Sequence, residues 1–174
     1  MKVLARIGDR LFPEDRMNPV VRRLYYGLRC LAFNIRRRKS GDKVSYDGAS
    51  FAFSLRGVCF RSYDNIFTQV RHIGEYCAKQ DIEEGFVVVD AGAYVGVFSM
   101  YASRKVGQRG RVIAFEPDPR NYRRLVANIK LNGMKNVVCV PKGLWSDDGS
   151  IRCFVTGNQV SSFIEGQSSV NTPV

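Results

Sequence analysis

The sequence lacks several features that mark common classes of protein. No apolar run approaches the roughly 18 residues that a membrane-spanning helix needs, and the five cysteines include no C-x-x-C pair. An odd number of cysteines at these spacings disfavours a disulfide framework and a metal site of the zinc type, and is typical of a reducing compartment. Charges and a proline interrupt the first 15 residues before an apolar core forms, so we expect no signal peptide and a cytoplasmic location.

Histidine is also scarce, which limits the choice of a general base. His72 is the only histidine, and it falls in a segment with helical periodicity. A single histidine on a helix is more often structural or exposed than catalytic, and a general base must lie within hydrogen-bond reach of its substrate. The sequence therefore assigns no catalytic residue.

Positive charge is concentrated in the N-terminal segment. Residues 1–40 hold eleven Lys and Arg against three acidic residues, so they carry +8 of the net charge of +11. A basic segment can meet anionic lipid or nucleic-acid phosphates, although such charge runs more often form a solvated helix face. The basicity thus belongs to this segment and not to the rest of the chain.

A basic amphipathic helix is predicted from Pro19 to about Arg38. Asn18 suits the N-cap position, and Pro19 suits the first helical position. Apolar residues recur at spacings of three and four, at Val20, Leu24, Leu28, Leu31 and Ile35. We expect this stripe to pack on the protein's own domain, with peripheral membrane contact through residues 19–39 as the alternative.

Residues 41–85 form a predicted lead-in segment. Asp47-Gly48 is a turn signal between alternating stretches, which predicts a hairpin of residues 44–46 with residues 50–55. Apolar spacing predicts an amphipathic helix over about residues 65–79. The chain then divides into a basic helical segment at 1–40, this lead-in at 41–85 and a partial cofactor-binding domain at 86–174.

The last part alternates between strand and helix. Strands are predicted at residues 86–90, 111–115 and about 137–141, with helices at about 95–105 and 118–132. Short connections between them imply right-handed crossovers, so we expect an α/β fold with a Rossmann-like parallel sheet. The run of valines in the first strand indicates a strand that is covered on both faces.

The sequence after residue 143 predicts only one further strand, near residues 151–155. Polar loop sequence follows through Ser161-Ser162 and residues 167–169. Three parallel strands make half of a doubly wound sheet, so we expect the sheet to be incomplete. The strand at 86–90 would then have an open edge unless the hairpin or a partner covers it. The oligomeric state is not determined by the sequence.

A glycine turn follows the first strand of this sheet. Asp90 precedes Gly92 and Gly96, and Glu116 ends the next strand. This order is typical of a nucleoside-bearing cofactor, because an acid about 20 residues past the turn can accept both ribose hydroxyls. The alternative is that Asp90 only caps the next helix and Glu116 is a solvated strand end.

Tyr94 narrows the choice of cofactor. A dinucleotide fingerprint has a glycine at the middle of the turn, where the backbone approaches a pyrophosphate, and here a tyrosine stands in its place. An acid ahead of the turn would also repel a phosphate, whereas it would suit an ammonium group. S-adenosylmethionine carries a ribose and an ammonium but no phosphate, so it fits this pattern.

Several further motifs extend the pattern along residues 87–149. They are Val-Val-Asp90-Ala-Gly92-Ala with Gly96, Arg111-Val-Ile-Ala-Phe-Glu116-Pro-Asp118-Pro-Arg-Asn121-Tyr122, Asn128-Ile-Lys-Leu-Asn132-Gly133 and Gly143-Leu-Trp145-Ser-Asp147-Asp148-Gly149. In this combination the segment resembles the FkbM family of S-adenosylmethionine-dependent methyltransferases. The resemblance covers somewhat over a third of the chain.

The resemblance implies a class I methyltransferase fold and methyl transfer to an oxygen nucleophile. Carried over by position, Asp90, Gly92 and Gly96 line the methionine side of S-adenosylmethionine, and Glu116 holds the ribose. Ala93 and Tyr94 form the wall of the turn. The chain departs from the family in two places: Tyr94 stands where asparagine is frequent, and a later strand with an Asp-x-Glu-Gly-like motif is absent from these 174 residues.

Three functions remain open at this point. The first is a methyltransferase that acts on a small-molecule, sugar or lipid-linked acceptor. The second is a truncated or degenerate copy that serves as a binding module without catalysis. The third is a nucleic-acid methyltransferase that grips phosphates with the basic helix. We disfavour a nucleic-acid partner, because the sequence has no Asn-Pro-Pro-Tyr-type site in the appropriate place.

Overall fold

The computed structural model describes residues 17–67, 69–76, 81–144, 150–154, 162–163 and 170–173. The helices are α1 Pro19–Arg36, α2 Gln69–Tyr76, α3 Val97–Val106 and α4 Pro119–Leu131. The strands are β1 Lys43–Tyr46, β2 Phe51–Leu55, β3 Val58–Ser62, β4 Val87–Ala91, β5 Arg111–Phe115, β6 Val137–Val140, β7 Ser150–Phe154, β8 Ser162–Phe163 and β9 Val170–Pro173. The element order agrees with the predicted α/β alternation from β4 to β6.

Helix α1 begins where the sequence predicts, but it docks through a different face. The Val20 amide donates to the Asn18 side chain at 2.9 Å, which caps the helix. The predicted docking stripe is exposed, at 56–76% for its five members. Tyr26, Cys30 and Phe33 are buried instead. The prediction was wrong because α1 has two apolar faces, and the aromatic one packs against β1 and β2.

Aromatic contacts fix this docking. The ring of Tyr26 meets the ring of Tyr46 at a centroid distance of 5.0 Å and that of Phe51 at 4.9 Å, both edge-on. Phe33 packs against Phe67 at 5.7 Å. Edge-to-face aromatic pairs gain energy beyond the area that they bury, which favours docking through this face.

The predicted hairpin is present, and a third strand extends it. Tyr46 pairs with Phe51 in the antiparallel register of β1 and β2, and the Asp47 carboxylate accepts from the Ala49 and Ser50 amides at 2.8 Å each. Strand β3, which the sequence analysis did not separate, pairs antiparallel with β2. Arg56 and Gly57 turn the chain with φ of 49° and 79°, as a tight hairpin turn requires.

The buried faces of β2 and β3 face the helices. Phe51, Phe53 and Leu55 are buried on one side of β2, as the alternation predicts. On α2, Val70 and Ile73 are buried with this core, whereas Tyr76 is exposed. The helix predicted over residues 65–79 spans Gln69–Tyr76 in the structure. Cys77 lies outside the described residues.

The parallel sheet has the strand order β4-β5-β6. Helix α3 contacts β4 and β5 on one side and β3 on the other, and α4 contacts β6 and β3. Both helices therefore lie between the two sheets. Within the described ranges, β4 has β5 as its only neighbour in the sheet, so the predicted open edge is present there.

Strand β4 is not covered on both faces. Val87 is 67% exposed and Val89 is 54% exposed, while Asp90 is buried. The expectation from the valine run was wrong for the described residues, because both crossover helices lie on the same face of the sheet. The opposite face, which also carries Val138 and the exposed Arg111, is open to solvent at these residues.

A third group of strands lies near the end of the chain. Strand β7 pairs antiparallel with β8 and β9, and it lies within one residue of the predicted strand at 151–155. Ser162 belongs to β8 and not to a loop, so that part of the loop prediction was wrong. Ser161 and residues 167–169 lie outside the described residues.

Asn128 of α4 and Asn132, the C-cap residue of that helix, join the layers. The Asn128 amide nitrogen donates to Asp64 Oδ2 at 2.8 Å and to the Val95 carbonyl at 2.9 Å, and its oxygen accepts from the Tyr63 amide at 2.9 Å. Asn132 exchanges two 2.7 Å hydrogen bonds with the backbone of Arg61, as a neighbouring strand would. The edge of β3 is thus paired by helix side chains.

We expect Asn128→Ala to lower the free energy of unfolding by about 3 kcal/mol, since it removes three hydrogen bonds from a fully buried side chain. Denaturant titration measures this loss. Lys130→Ala, at an exposed position of the same helix, is the control and should change stability by less than about 0.5 kcal/mol. Equal effects of the two substitutions would contradict the role assigned to Asn128.

Candidate functional site

The glycine turn between β4 and α3 is bonded to the end of β5. The amides of Gly92 and Ala93 both donate to the Phe115 carbonyl, at 2.9 and 2.8 Å. The backbone φ is 83° at Gly92 and 87° at Gly96, and Tyr94 also has a positive φ of 52°. A glycine adopts this region without steric cost, and the turn thereby reverses direction within five residues to start α3.

Glu116 connects the turn to the start of α4. Its Oε2 accepts from the Tyr94 amide at 2.7 Å, and its Oε1 accepts from the Asp118 amide at 2.9 Å. The side chain is buried, and burial raises the pKa of Glu116 above its ordinary value, while these amide hydrogen bonds and one from Asn121 oppose the rise. The structure therefore brings two predicted site residues, Tyr94 and Glu116, into direct contact.

Asp90 is buried beneath the turn. Ser99, in the first turn of α3, donates its hydroxyl to Asp90 Oδ2 at 2.5 Å. Burial raises the pKa of Asp90, and hydrogen bonds from the Ser99 hydroxyl and amide counteract part of this effect. The carboxylate thus contacts the first turn of α3 through Ser99, whereas the N-cap position of that helix is Gly96 and has no side-chain cap.

Gly96 is required by close packing as well as by its backbone angle. A Cβ at this position would stand 2.5 Å from Leu125 Cδ1. Gly92 differs, because nothing lies within 4 Å of the corresponding position. The first glycine therefore leaves its backbone open to a ligand, whereas the second lets α3 and α4 approach each other.

The side chains of Ala93 and Tyr94 pack into the protein. Ala93 is buried in the core, and Tyr94 is half-buried against it. The guanidinium of Arg124 lies 5.9 Å from the centre of the Tyr94 ring. The Tyr94 ring thus lies beside α4, and the role of both residues as the wall of the turn stays a prediction.

Sequence reasoning missed the residues that hold Tyr94 in place. Arg124 donates from Nε to Asp64 Oδ1 at 2.5 Å, and its Nη2 pairs with the same oxygen. Asp64 also accepts from Asn128. No short-range pattern connects Asp64 with Arg124, since they are 60 residues apart, although Asn128 belongs to a motif that the sequence analysis singled out.

The residues around the turn fit a ligand that carries a ribose and an ammonium group. An ionised carboxylate has about four acceptor positions, and Glu116 uses three of them, for two amides and Asn121. One position is left for a ribose hydroxyl. Gly92 gives access to the backbone, and the donors that a pyrophosphate needs are directed at Glu116 and the Phe115 carbonyl instead.

His72 does not belong to this site. It lies on α2, half-exposed, with Nδ1 2.9 Å from Glu75 Oε2. A groove of about 620 Å³ also lies elsewhere, between the outer side of β1, β2 and β3 and the ends of α3 and α4. Neither feature includes a residue of the glycine turn or Glu116.

The comparison with protein families matches the site region. The family model described as the TRM5/TYW2 methyltransferase domain matches residues 64–151, which is half of the chain and includes every predicted site residue. The match supports a class I S-adenosylmethionine methyltransferase and does not single out the FkbM family that the motifs resemble.

Individual proteins match over shorter stretches. Methyltransferase sdnD of Sordaria araneosa is 43% identical over 68 residues, which are 37% of this chain and 25% of that protein. Methyltransferase 1 of Beauveria bassiana is 34% identical over 64 residues, with the same coverages. The chain thus spans about a quarter of the length of these relatives. The crystal structure of M. jannaschii TYW2 in complex with AdoMet is 24% identical with a TM-score of 0.37, over 56% of this chain and 45% of that one.

The raised pKa of Asp90 predicts a pH-dependent stability. The folded protein keeps this proton to a higher pH than the unfolded chain, so the contribution of Asp90 to stability falls as pH rises above about 4. Asp90→Asn cannot ionise and still accepts from Ser99. We expect its free energy of unfolding to rise relative to that of wild type as the pH increases above about 4.

Denaturant titrations at several pH values measure this difference. Glu83→Gln, at an exposed position, is the matched control and should give a difference that does not change with pH. A constant difference for Asp90→Asn as well would contradict the buried, protonation-linked role.

Gly96 is constrained by its positive φ and by the close approach of Leu125, and a comparison with Gly133 separates these two effects. Gly133 has a φ of 60° and open space around its Cβ position. We expect Gly133→Ala to cost about 1 kcal/mol from backbone strain alone, and Gly96→Ala to cost about 2–4 kcal/mol because the contact with Leu125 adds to the strain. Thermal and denaturant unfolding measure both, and equal losses would show that the packing at Gly96 does not matter.

Proposed function

The chain belongs to the TRM5/TYW2 methyltransferase-domain family, and from this premise we propose that it binds S-adenosylmethionine at the turn between β4 and α3 and transfers the methyl group to a hydroxyl. The observation that carries the proposal is the placement of Glu116. Its carboxylate ends β5, holds the turn through the Tyr94 amide and keeps one acceptor position for a ribose.

In this proposal each site residue has a separate task. Glu116 accepts from the ribose of the cofactor, and Asp90 faces the ammonium of its methionine part. Gly92 allows the ligand to approach the backbone, and Gly96 allows α3 to begin directly behind the turn. Asp64, Arg124 and Tyr94 position the turn and do not touch the ligand.

The chemistry that these residues must support is modest. S-adenosylmethionine supplies an activated methyl group when bound, and the transfer depends mainly on alignment of the acceptor with that group. The protein contributes by fixing the cofactor. A hydroxyl acceptor also needs a base within hydrogen-bond reach, and no described residue is assigned that role.

The resemblance to the FkbM family supports an oxygen acceptor on a sugar, a lipid-linked molecule or another small molecule. The chain spans about a quarter of its curated relatives, so transfer by this chain is part of the proposal. A binding module without catalysis is the alternative. It predicts tight binding of S-adenosylmethionine with no methyl transfer to any hydroxyl acceptor.

A nucleic-acid acceptor is the second candidate, and the cations of residues 22–39 favour it. Binding through phosphates would weaken steeply with salt. The exposed aliphatic stripe of α1 is a poor surface for such contact, because phosphates offer no apolar partner for it. We therefore rank the small hydroxyl acceptor first.

Two ligands can test the assigned tasks separately. S-adenosylmethionine has both the ribose and the amino-acid part, whereas 5′-methylthioadenosine has only the ribose and base. We expect Glu116→Ala to weaken binding of both ligands by about 10- to 100-fold. Asp90→Asn should weaken only S-adenosylmethionine.

Isothermal titration calorimetry measures both affinities, with circular dichroism to confirm that each variant is folded. His72→Ala is the control, because His72 lies outside the site, and it should bind both ligands as wild type does. A folded wild-type protein that binds neither ligand would refute the proposed cofactor. Equal effects of Asp90→Asn on both ligands would refute the task assigned to Asp90.

A further inference from the structure

One face of α1 is aliphatic and exposed to solvent. Its members are Val20, Leu24, Leu28, Leu31 and Ile35, which we call the aliphatic stripe, and each has more than half of its surface exposed. Contiguous apolar patches of this kind on a folded protein mark a contact with a partner or a membrane. We therefore expect a binding partner or a membrane to cover the stripe.

The stripe points away from the rest of the protein. At 100° per residue, its centre lies roughly 150° around the helix from the buried face of Tyr26, Cys30 and Phe33. The aromatic contacts of Tyr26 and Phe33 hold that buried face against β1, β2 and the segment at Phe67. The docking of α1 thus presents the stripe outwards.

Positive charge flanks the stripe and follows it along the chain. Between residues 17 and 41 the chain has seven cations and no acidic residue. Arg29 and Arg37 are engaged within the protein, over the Phe67 ring and beside Asp42 respectively. The exposed Arg23 lies roughly 100° around the helix from the centre of the stripe, and the exposed cations Arg38 and Lys39 lie beyond the end of α1.

We propose that α1 is a membrane-docking helix, which lies in the plane of an anionic lipid bilayer with the aliphatic stripe inserted among the acyl chains. Helices with an apolar face bordered by Lys and Arg bind lipid interfaces in this way, and each cation near an anionic leaflet adds to the attraction. Among the described helices none is long and apolar enough to cross the bilayer, so the contact is peripheral.

Two other occupants fit less well. A second copy of the chain would bring the exposed cations of two α1 helices close together, and like charges across an interface oppose association. A nucleic acid would satisfy the cations but would leave the leucines in water, because its phosphates offer no apolar surface. Anionic lipid satisfies both the charge and the apolar face.

Vesicle co-sedimentation of the full chain tests the proposal. We expect binding to phosphatidylcholine vesicles that contain about one third phosphatidylserine, and at least about tenfold weaker binding to phosphatidylcholine alone. Leu24→Gln with Leu28→Gln should weaken binding to the anionic vesicles by at least about tenfold. Leu144→Gln is the matched control, since Leu144 is a similarly exposed leucine outside α1, and it should bind as wild type does.

The charges are tested in the same assay. Arg23→Gln with Lys39→Gln should weaken binding to anionic vesicles, and added salt should reduce the remaining difference. Lys135→Gln with Lys142→Gln removes two exposed cations elsewhere on the protein and should leave binding unchanged. Circular dichroism confirms that each variant is folded, and Leu31→Gln with Ile35→Gln replaces the first leucine pair if that variant does not fold.

Three results would overturn the proposal. The first is a folded wild-type protein that does not bind anionic vesicles. The second is an equal change of vesicle binding in the Leu24→Gln, Leu28→Gln variant and in the Leu144→Gln control. The third is a dimer or an RNA complex that the leucine pair abolishes while vesicle binding is unaffected, because another occupant would then cover the stripe.

Discussion

The buried carboxylate of Glu116 is the interaction on which the candidate site depends. It accepts from the Tyr94 amide on one side and from the Asp118 amide on the other, so it joins the glycine turn to the start of α4. The Phe115 carbonyl adds two hydrogen bonds to the same turn. These bonds to Glu116 and to the Phe115 carbonyl hold the backbone of the turn, and the contact of Tyr94 with Arg124 of α4 supports the same conformation.

Helix α4 connects the glycine turn to the strands that precede it in the chain. Its asparagines bond to the backbone around β3, and Arg124 pairs with Asp64 next to it. These contacts attach the lead-in segment to the part of the chain that carries the glycine turn. They involve buried polar groups, and a buried polar group without a hydrogen-bond partner is costly. The family match begins at residue 64, so it includes Asp64 but not the strands before it. The same hydrogen bonds and ion pair therefore stabilise both strand β3 and the candidate site.

The two apolar surfaces that remain exposed have different surroundings. The open face of β4 carries Val87 and Val89, and the exposed Arg111 of β5 is paired beside Val87 as one isolated cation. The aliphatic stripe of α1 stands among cations, and that charge selects an anionic occupant. A membrane-docked α1 would restrict the protein to a lipid surface, which is compatible with a lipid-linked acceptor, although neither proposal requires the other.

Local sequence was sufficient to predict the strands and helices from β4 to β6, the glycine turn and the acid at the end of β5. These features follow from local periodicity and from backbone angles that glycine alone adopts easily, so short stretches of sequence suffice to predict them. Three features could be established from the three-dimensional structure alone: which face of α1 docks, that both crossover helices lie on one side of the sheet, and that Tyr94 packs against Arg124. Those outcomes depend on contacts between distant residues, such as Asp64 with Arg124 and Tyr26 with Phe51, and no local pattern encodes which of two apolar faces gains more by burial.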